Sequence, residues 1–70
     1  MSIFLSQLRL IMFYLMLRPE ELAKISGIHL LRVKRIFVNN DCTFHEISLI
    51  LKGLEMTLDE FFAFTPHINK

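Results

Sequence analysis

Between residues 43 and 60 the chain spells one helix-starting device twice. Thr43-Phe44-His45-Glu46 and Thr57-Leu58-Asp59-Glu60 each set a hydroxyl three residues ahead of a carboxylate. In such a capping box the Thr hydroxyl accepts from the Glu amide while the Glu carboxylate accepts from the Thr amide. Donors that a new helix would otherwise leave orphaned are thereby satisfied. Each box is also bracketed by an apolar pair at the spacing of a hydrophobic staple, Cys42 with Ile47 and Met56 with Phe61. This half of the chain can therefore build two short helices, the first running to about Leu54.

The other half is punctuated in the same spirit. Phe4, Leu8, Ile11 and Leu15 recur at helical spacing and predict a first helix over roughly Ile3 to Leu17. Arg18-Pro19 ends it, because proline disfavours helix for the residue before it and suits the first turn of the next. A second helix follows from Pro19 to about Ser26, with Glu20 and Glu21 against its positive end. Gly27 supplies the unhindered backbone for a sharp turn. A third helix is expected from about His29 to Val38, with Val33, Ile36 and Phe37 facing inward and Arg32, Lys34 and Arg35 facing at least partly outward. Asn39-Asn40-Asp41 then forms a turn. Both glycines and both prolines are expected at helix boundaries, and nothing alternates as a strand would. The reading is all-α, one domain over residues 1–70.

Seventy residues bury a small core, and such chains often add disulfides, metal or a partner. Cys42 stands alone, which rules out an internal disulfide and suits a reducing compartment. His29, His45 and His67 are too dispersed for a zinc site, so no metal or other cofactor is expected. Self-association remains, and a mean hydropathy of +0.44 favours it. The apolar stretch Ile3 to Leu17 is short for a membrane span and carries Gln7 and Arg9, and no leader pattern precedes it. The expectation is a complete cytoplasmic protein without a membrane segment. Glu20 with Glu21 and Asp59 with Glu60 are paired acids at helix starts, unaccompanied by a nucleophile or metal set, so no enzyme is expected.

The segment from Arg18 to Ile36 meets the needs of a helix-turn-helix in order, with the motif at about residues 19–38. Ala23 is small where two helices would press together, Gly27 permits the tight turn, and Ile28 fills the space beneath it. Val33 and Ile36 would hold the second motif helix onto the first. With Leu8, Ile11 and Leu17 ahead of it and Ile47, Ile50, Leu54 and Met56 to Phe61 behind, the chain resembles the Cro and phage-repressor family over nearly all of residues 4–62. The resemblance implies a five-helix lambda-repressor-like fold, commonly a symmetric dimer, with the third helix lying in the major groove of operator DNA. It also implies DNA contacts from Arg18, His29, Leu30, Leu31, Arg32, Lys34 and Arg35. Three departures stand out. Pro19 replaces a polar residue at the start of the second helix, Leu30 and Leu31 replace polar base readers, and Met12 and Phe37 replace an Arg–Glu pair.

Each of these assignments has a plainer counterpart. Arg32, Lys34 and Arg35 also suit an ordinary solvated helix face. Leu30 and Leu31 also suit a protein-binding patch, which would make the chain an antirepressor or antitoxin-like partner of a regulatory protein. Leu10, Phe13, Tyr14 and Leu17 lie off the core stripe of the first helix, where they could cover the fifth helix or, with Phe62, form an oligomer interface. Net charge is +1, but residues 1–40 carry +4 and residues 41–70 carry −3, the distribution of a one-faced polyanion binder. The expectation carried forward is a repressor-like dimer on double-stranded DNA.

Overall fold

The computed structural model describes residues 2–65, which form five helices and no strand: α1 (Ser2–Leu15), α2 (Pro19–Ser26), α3 (Leu30–Asn39), α4 (Phe44–Leu54) and α5 (Leu58–Ala63). Both threonine boxes close. The Glu46 amide donates to Thr43 Oγ1 at 3.1 Å and the Thr43 amide to Glu46 Oε1 at 3.0 Å. At α5 the same two bonds measure 3.1 Å and 2.9 Å between Glu60 and Thr57. Helix α2 keeps one half of the device, the Arg18 amide donating to Glu21 Oε1 at 2.7 Å.

Three helices end in a left-handed residue that is not glycine: Met16 (φ 58°), Asn40 (φ 57°) and Glu55 (φ 59°). At Met16 the Leu17 amide donates back to Met12 O at 2.8 Å and the Met16 amide to Phe13 O at 3.2 Å. This is a Schellman closure, which satisfies carbonyls the helix end would leave unpaired. The first helix therefore stops at Leu15 rather than at the expected Leu17, two residues before the Arg18-Pro19 break. The reversal turns Leu17 back against the core, where it is half-buried. Glu55 ends α4 in the same way, with the Met56 amide on Leu51 O at 3.0 Å.

Eleven apolar side chains make the core, and Leu5, Leu8, Ile11, Leu22, Val33, Ile36, Ile50 and Phe61 are essentially inaccessible. Every helix contributes at least one of these eight, so no element is merely appended. Each such burial is worth roughly 1.5–3 kcal/mol relative to exposure. Phe61 of α5 stacks on Phe4 of α1 with ring centroids 4.6 Å apart. Gln7 of α1 fastens the same junction, its Nε2 donating to Phe61 O at 2.8 Å and Phe64 O at 2.9 Å. Those two carbonyls lie at the closing end of a six-residue helix, where Phe61 O also accepts from the Phe64 amide at 3.4 Å.

The second correction concerns Gly53. It lies inside α4 rather than at a boundary, and a Cβ there would sit 2.5 Å from Ile25 O and 2.8 Å from Ile25 C of α2. The α2 backbone passes over this point so closely that only hydrogen fits. Helix α2 is thus clamped against α4 on one side and α3 on the other.

Candidate nucleic-acid interface

The turn between α2 and α3 is three residues long and closed by local chemistry. Gly27 takes the left-handed conformation (φ 78°), and its amide donates to Ala23 O at 2.9 Å. The next amide, Ile28, donates to Ser26 Oγ at 3.2 Å. Ser26 is buried, and its hydroxyl takes over a backbone donor that would otherwise be orphaned under the turn. Ile28 fills the space below at 8% exposure, and Val33 and Ile36 fix α3 to the core at 1% each. The outer face of α3 is thereby held at one orientation.

His29 is not the first residue of α3, as the spacing predicts, but its cap. It sits outside helical geometry (φ −57°, ψ 139°), and its Nδ1 accepts from the Leu31 amide at 3.1 Å. Because Nδ1 is an acceptor here, a neutral ring carries its proton on Nε2. Leu30 is half-buried, whereas Leu31 is 65% exposed. Lys34 and Arg35 are exposed on the same helix, and Arg18 is exposed at the start of α2.

Arg32 departs from the expected outward set. Its Nε and Nη2 form a fork on Glu46, with Nη2 to Oε1 at 2.8 Å and Nε to Oε2 as the second arm. The Arg32 guanidinium holds the Glu46 carboxyl down at about 2, assisted by the Thr43 amide and hydroxyl and opposed by partial burial. Glu46 in turn raises the Arg32 pKa. The Nε–Nη2 edge of the guanidinium is used inside the molecule, tying α3 to the start of α4. Beside the pair, burial and then the Glu46 charge push the Cys42 thiol up to about 11, so it is an inert thiol rather than a nucleophile.

A shallow cleft of about 280 Å³ brings His29, Leu31, Arg32 and Arg35 together. Of the residues expected at an oligomer interface, Phe13 and Leu17 line one cleft, and Leu10, Tyr14 and Phe62 lie outside it. Leu17 turns to the core, and Tyr14 packs edge-on against Phe64 at 5.4 Å. Phe13, 85% exposed, borders a cleft with Met12, Leu17 and Phe37. Met12 and Phe37 thus share one apolar site, and a cation still reaches it: Arg9 lies 5.3 Å above the Phe37 ring and donates to Phe37 O at 3.1 Å. Leu10 is 37% exposed on α1. Phe62 lies apart from these, in an apolar groove with Ile3, Phe44, Ile47 and Leu58. Among the described residues no cluster of three or more metal-ligating side chains occurs, and no helix is long and apolar enough to cross a membrane. His67 lies outside the described residues.

Gln7, Ser26, Glu46 and Gly53 are the positioning residues that the sequence pattern does not single out for these contacts. Ser26 had a local signal, since a hydroxyl just before a turn glycine is a ready acceptor. Compared with protein-family models, with curated proteins and with solved structures, the chain matches none.

Proposed function

We propose that this chain is a sequence-specific DNA-binding transcriptional regulator, repressor-like and dimeric, built as a five-helix lambda-repressor-like helix-turn-helix domain. The observation that carries the reading is the outer face of α3. A helix packed by Val33 and Ile36 behind a three-residue turn offers Leu31, Lys34 and Arg35 to solvent, with His29 Nε2 and Arg18 at its margins. A helix so mounted, with one wall free and cationic, matches the width and charge of a major groove. Lys34 and Arg18 suit phosphates, and Arg35 suits a base edge. The cell compartment consistent with this role is the cytoplasm.

Dimerisation rests on a separate observation. Among the described residues twelve large apolar side chains are exposed, against eleven in the core. Isolated exposed apolar residues are ordinary, but parity with the core in so small a chain favours a partner surface. Leu10, Phe13, Tyr14, Leu17 and Phe62 are the proposed contacts, with Leu17 half-buried beside Phe13.

A gel-shift titration against the DNA flanking the chain's own gene, at several salt concentrations, tests the reading. The expected result is a discrete shift whose affinity falls steeply with salt, with a shallower slope for Lys34→Ala. No shift at micromolar protein and low salt would remove the proposal.

One observation favours a second reading. Leu31 and Val38, 65% and 82% exposed on α3, flank Lys34 and Arg35 and would suit apolar anchors with a basic rim for an acidic protein partner. An antirepressor or antitoxin-like role follows from that reading. A pull-down with wild type and the Leu30→Gln/Leu31→Gln variant separates the two: a protein captured by wild type alone, without a DNA shift, supports the second.

A further inference from the structure

Resting on the DNA-binding reading, we infer that Leu31 and Arg35 are the specificity-determining pair and that the operator they select carries a thymine next to, or one base step removed from, a guanine in each half-site. Arg32 is the nearest competitor for base reading, and Glu46 holds its Nε and Nη2, which ties the guanidinium to the start of α4. Leu30 is half-buried, and His29, its Nδ1 committed to the Leu31 amide, stays at the margin of the face with one ring nitrogen, while Lys34 suits a phosphate. Leu31 and Arg35 are left on the opening stretch of α3, four residues apart on one face and lining one cleft.

The chemistry of the two side chains dictates what each accepts. An exposed leucine offers no donor or acceptor, and the one apolar group on a major-groove base edge is the thymine 5-methyl. A neighbouring cytosine or adenine amino group would lose water against Leu31 and gain nothing in return. Arg35, whose pair of donors is free, matches the O6 and N7 acceptors of guanine. Four residues of helix span about 6 Å, which is about two base steps of about 3.4 Å each. The thymine and the guanine therefore lie within about two steps of each other.

The test starts from a random-sequence duplex library selected on the full chain, because no operator is assumed. The enriched site is then resynthesised with deoxyuridine in place of each thymine in turn, which removes a single methyl and leaves base pairing intact. One substitution per half-site should weaken wild-type binding about four-fold, the equivalent of about 0.8 kcal/mol for one buried methyl-sized group. The Leu31→Gln variant, altered at an exposed side chain and offering no apolar surface to a methyl group, should bind the thymine and uracil sites equally. In the Arg35→Ala variant, preference at the neighbouring guanine should flatten while the thymine preference persists. If a sequence is enriched but every thymine-to-uracil change stays within two-fold, the Leu31 assignment is overturned while DNA recognition stands. If no sequence is enriched, the DNA-binding reading fails and this inference fails with it.

Discussion

Replacing Gly53 with alanine adds one methyl group where the α2 backbone passes directly over α4. On propensity alone the change should stabilise α4 by about 0.8–1 kcal/mol, because glycine is the poorer helix former. The geometry reverses that sign. The new Cβ would lie 2.5 Å from Ile25 O and 3.1 Å from Ser26 N, and both obstructing atoms belong to backbone that cannot rotate away. A tolerable C···O approach is about 3.3 Å, so α2 and α4 must part by about 0.8 Å. That movement loosens the layer holding Leu22 and Ile50, which are 1% and 0% exposed, and it disturbs the turn that positions α3. Overpacking of this kind costs about 1–3 kcal/mol, and an obstacle made of backbone belongs at the upper end. The net loss should be about 2 kcal/mol, which for a domain this small lowers Tm by about 8–16 °C. Circular dichroism at 222 nm during thermal and urea unfolding measures it, with Lys52→Ala as a neighbouring exposed control expected to change little. A Gly53→Ala protein as stable as wild type, or more so, would show that the helices do not cross this closely.

Met16→Gly should raise stability by about 0.5–1 kcal/mol, since Met16 is 84% exposed and held at φ 58°, where a side chain is strained; a lowered urea midpoint would contradict the Schellman closure. Glu46→Gln keeps a capping box but removes the ion pair. With its folded pKa held at about 2 against an ordinary 4.5, Glu46 stabilises fully above about pH 4.5 and loses that contribution as pH falls through 2. The gap in urea midpoint between wild type and Glu46→Gln should accordingly shrink between pH 6 and pH 2.5, and a gap constant with pH would refute the pairing. Phe13→Glu should shift sedimentation towards monomer without loss of helicity, because the side chain is 85% exposed and outside the core, whereas unchanged mass would locate the interface elsewhere.

What could be read in advance was what the chain settles within a few residues. The Thr43 and Thr57 boxes, the proline start at Pro19 and the left-handed Gly27 all depend on groups three or four positions apart. The all-helical architecture follows from them. The end of α1 was not legible, because Leu15-Met16-Leu17 contains no turn-forming residue; the core draws Leu17 inward and Met16 takes the strain. The spacing does not mark His29 as a cap, because imidazole is an uncommon one, yet its Nδ1 does the work of a serine hydroxyl. Contacts between distant positions were hidden altogether. Gln7 meets carbonyls 54 and 57 residues away, and the need for glycine at position 53 is set by a backbone in another helix. At the proposed site, the exposure of Leu31 and Arg35 follows the α3 periodicity, but the capture of Arg32 does not.

That capture bears on how α3 would work as a reading surface. Glu46 Oε1 accepts from the Thr43 amide at 3.0 Å and from Arg32 Nη2 at 2.8 Å, while Oε2 takes Arg32 Nε. One carboxylate therefore starts α4 and holds the third residue of α3, and neither function can relax without the other. Arginine suits this role because its two arms are coplanar with the carboxylate, whereas lysine would bring a single point charge. Val33 and Ile36 anchor the adjoining, core-facing side of α3, so the helix is fixed from the core and from its flank. A side chain that reads a base must arrive within a fraction of an ångström, and a rigid mount avoids the entropy of ordering it on contact. On the proposed reading the cost is one fewer charged group facing outward, which would leave shape and methyl contact at Leu31 to carry discrimination that a second polar reader would otherwise supply.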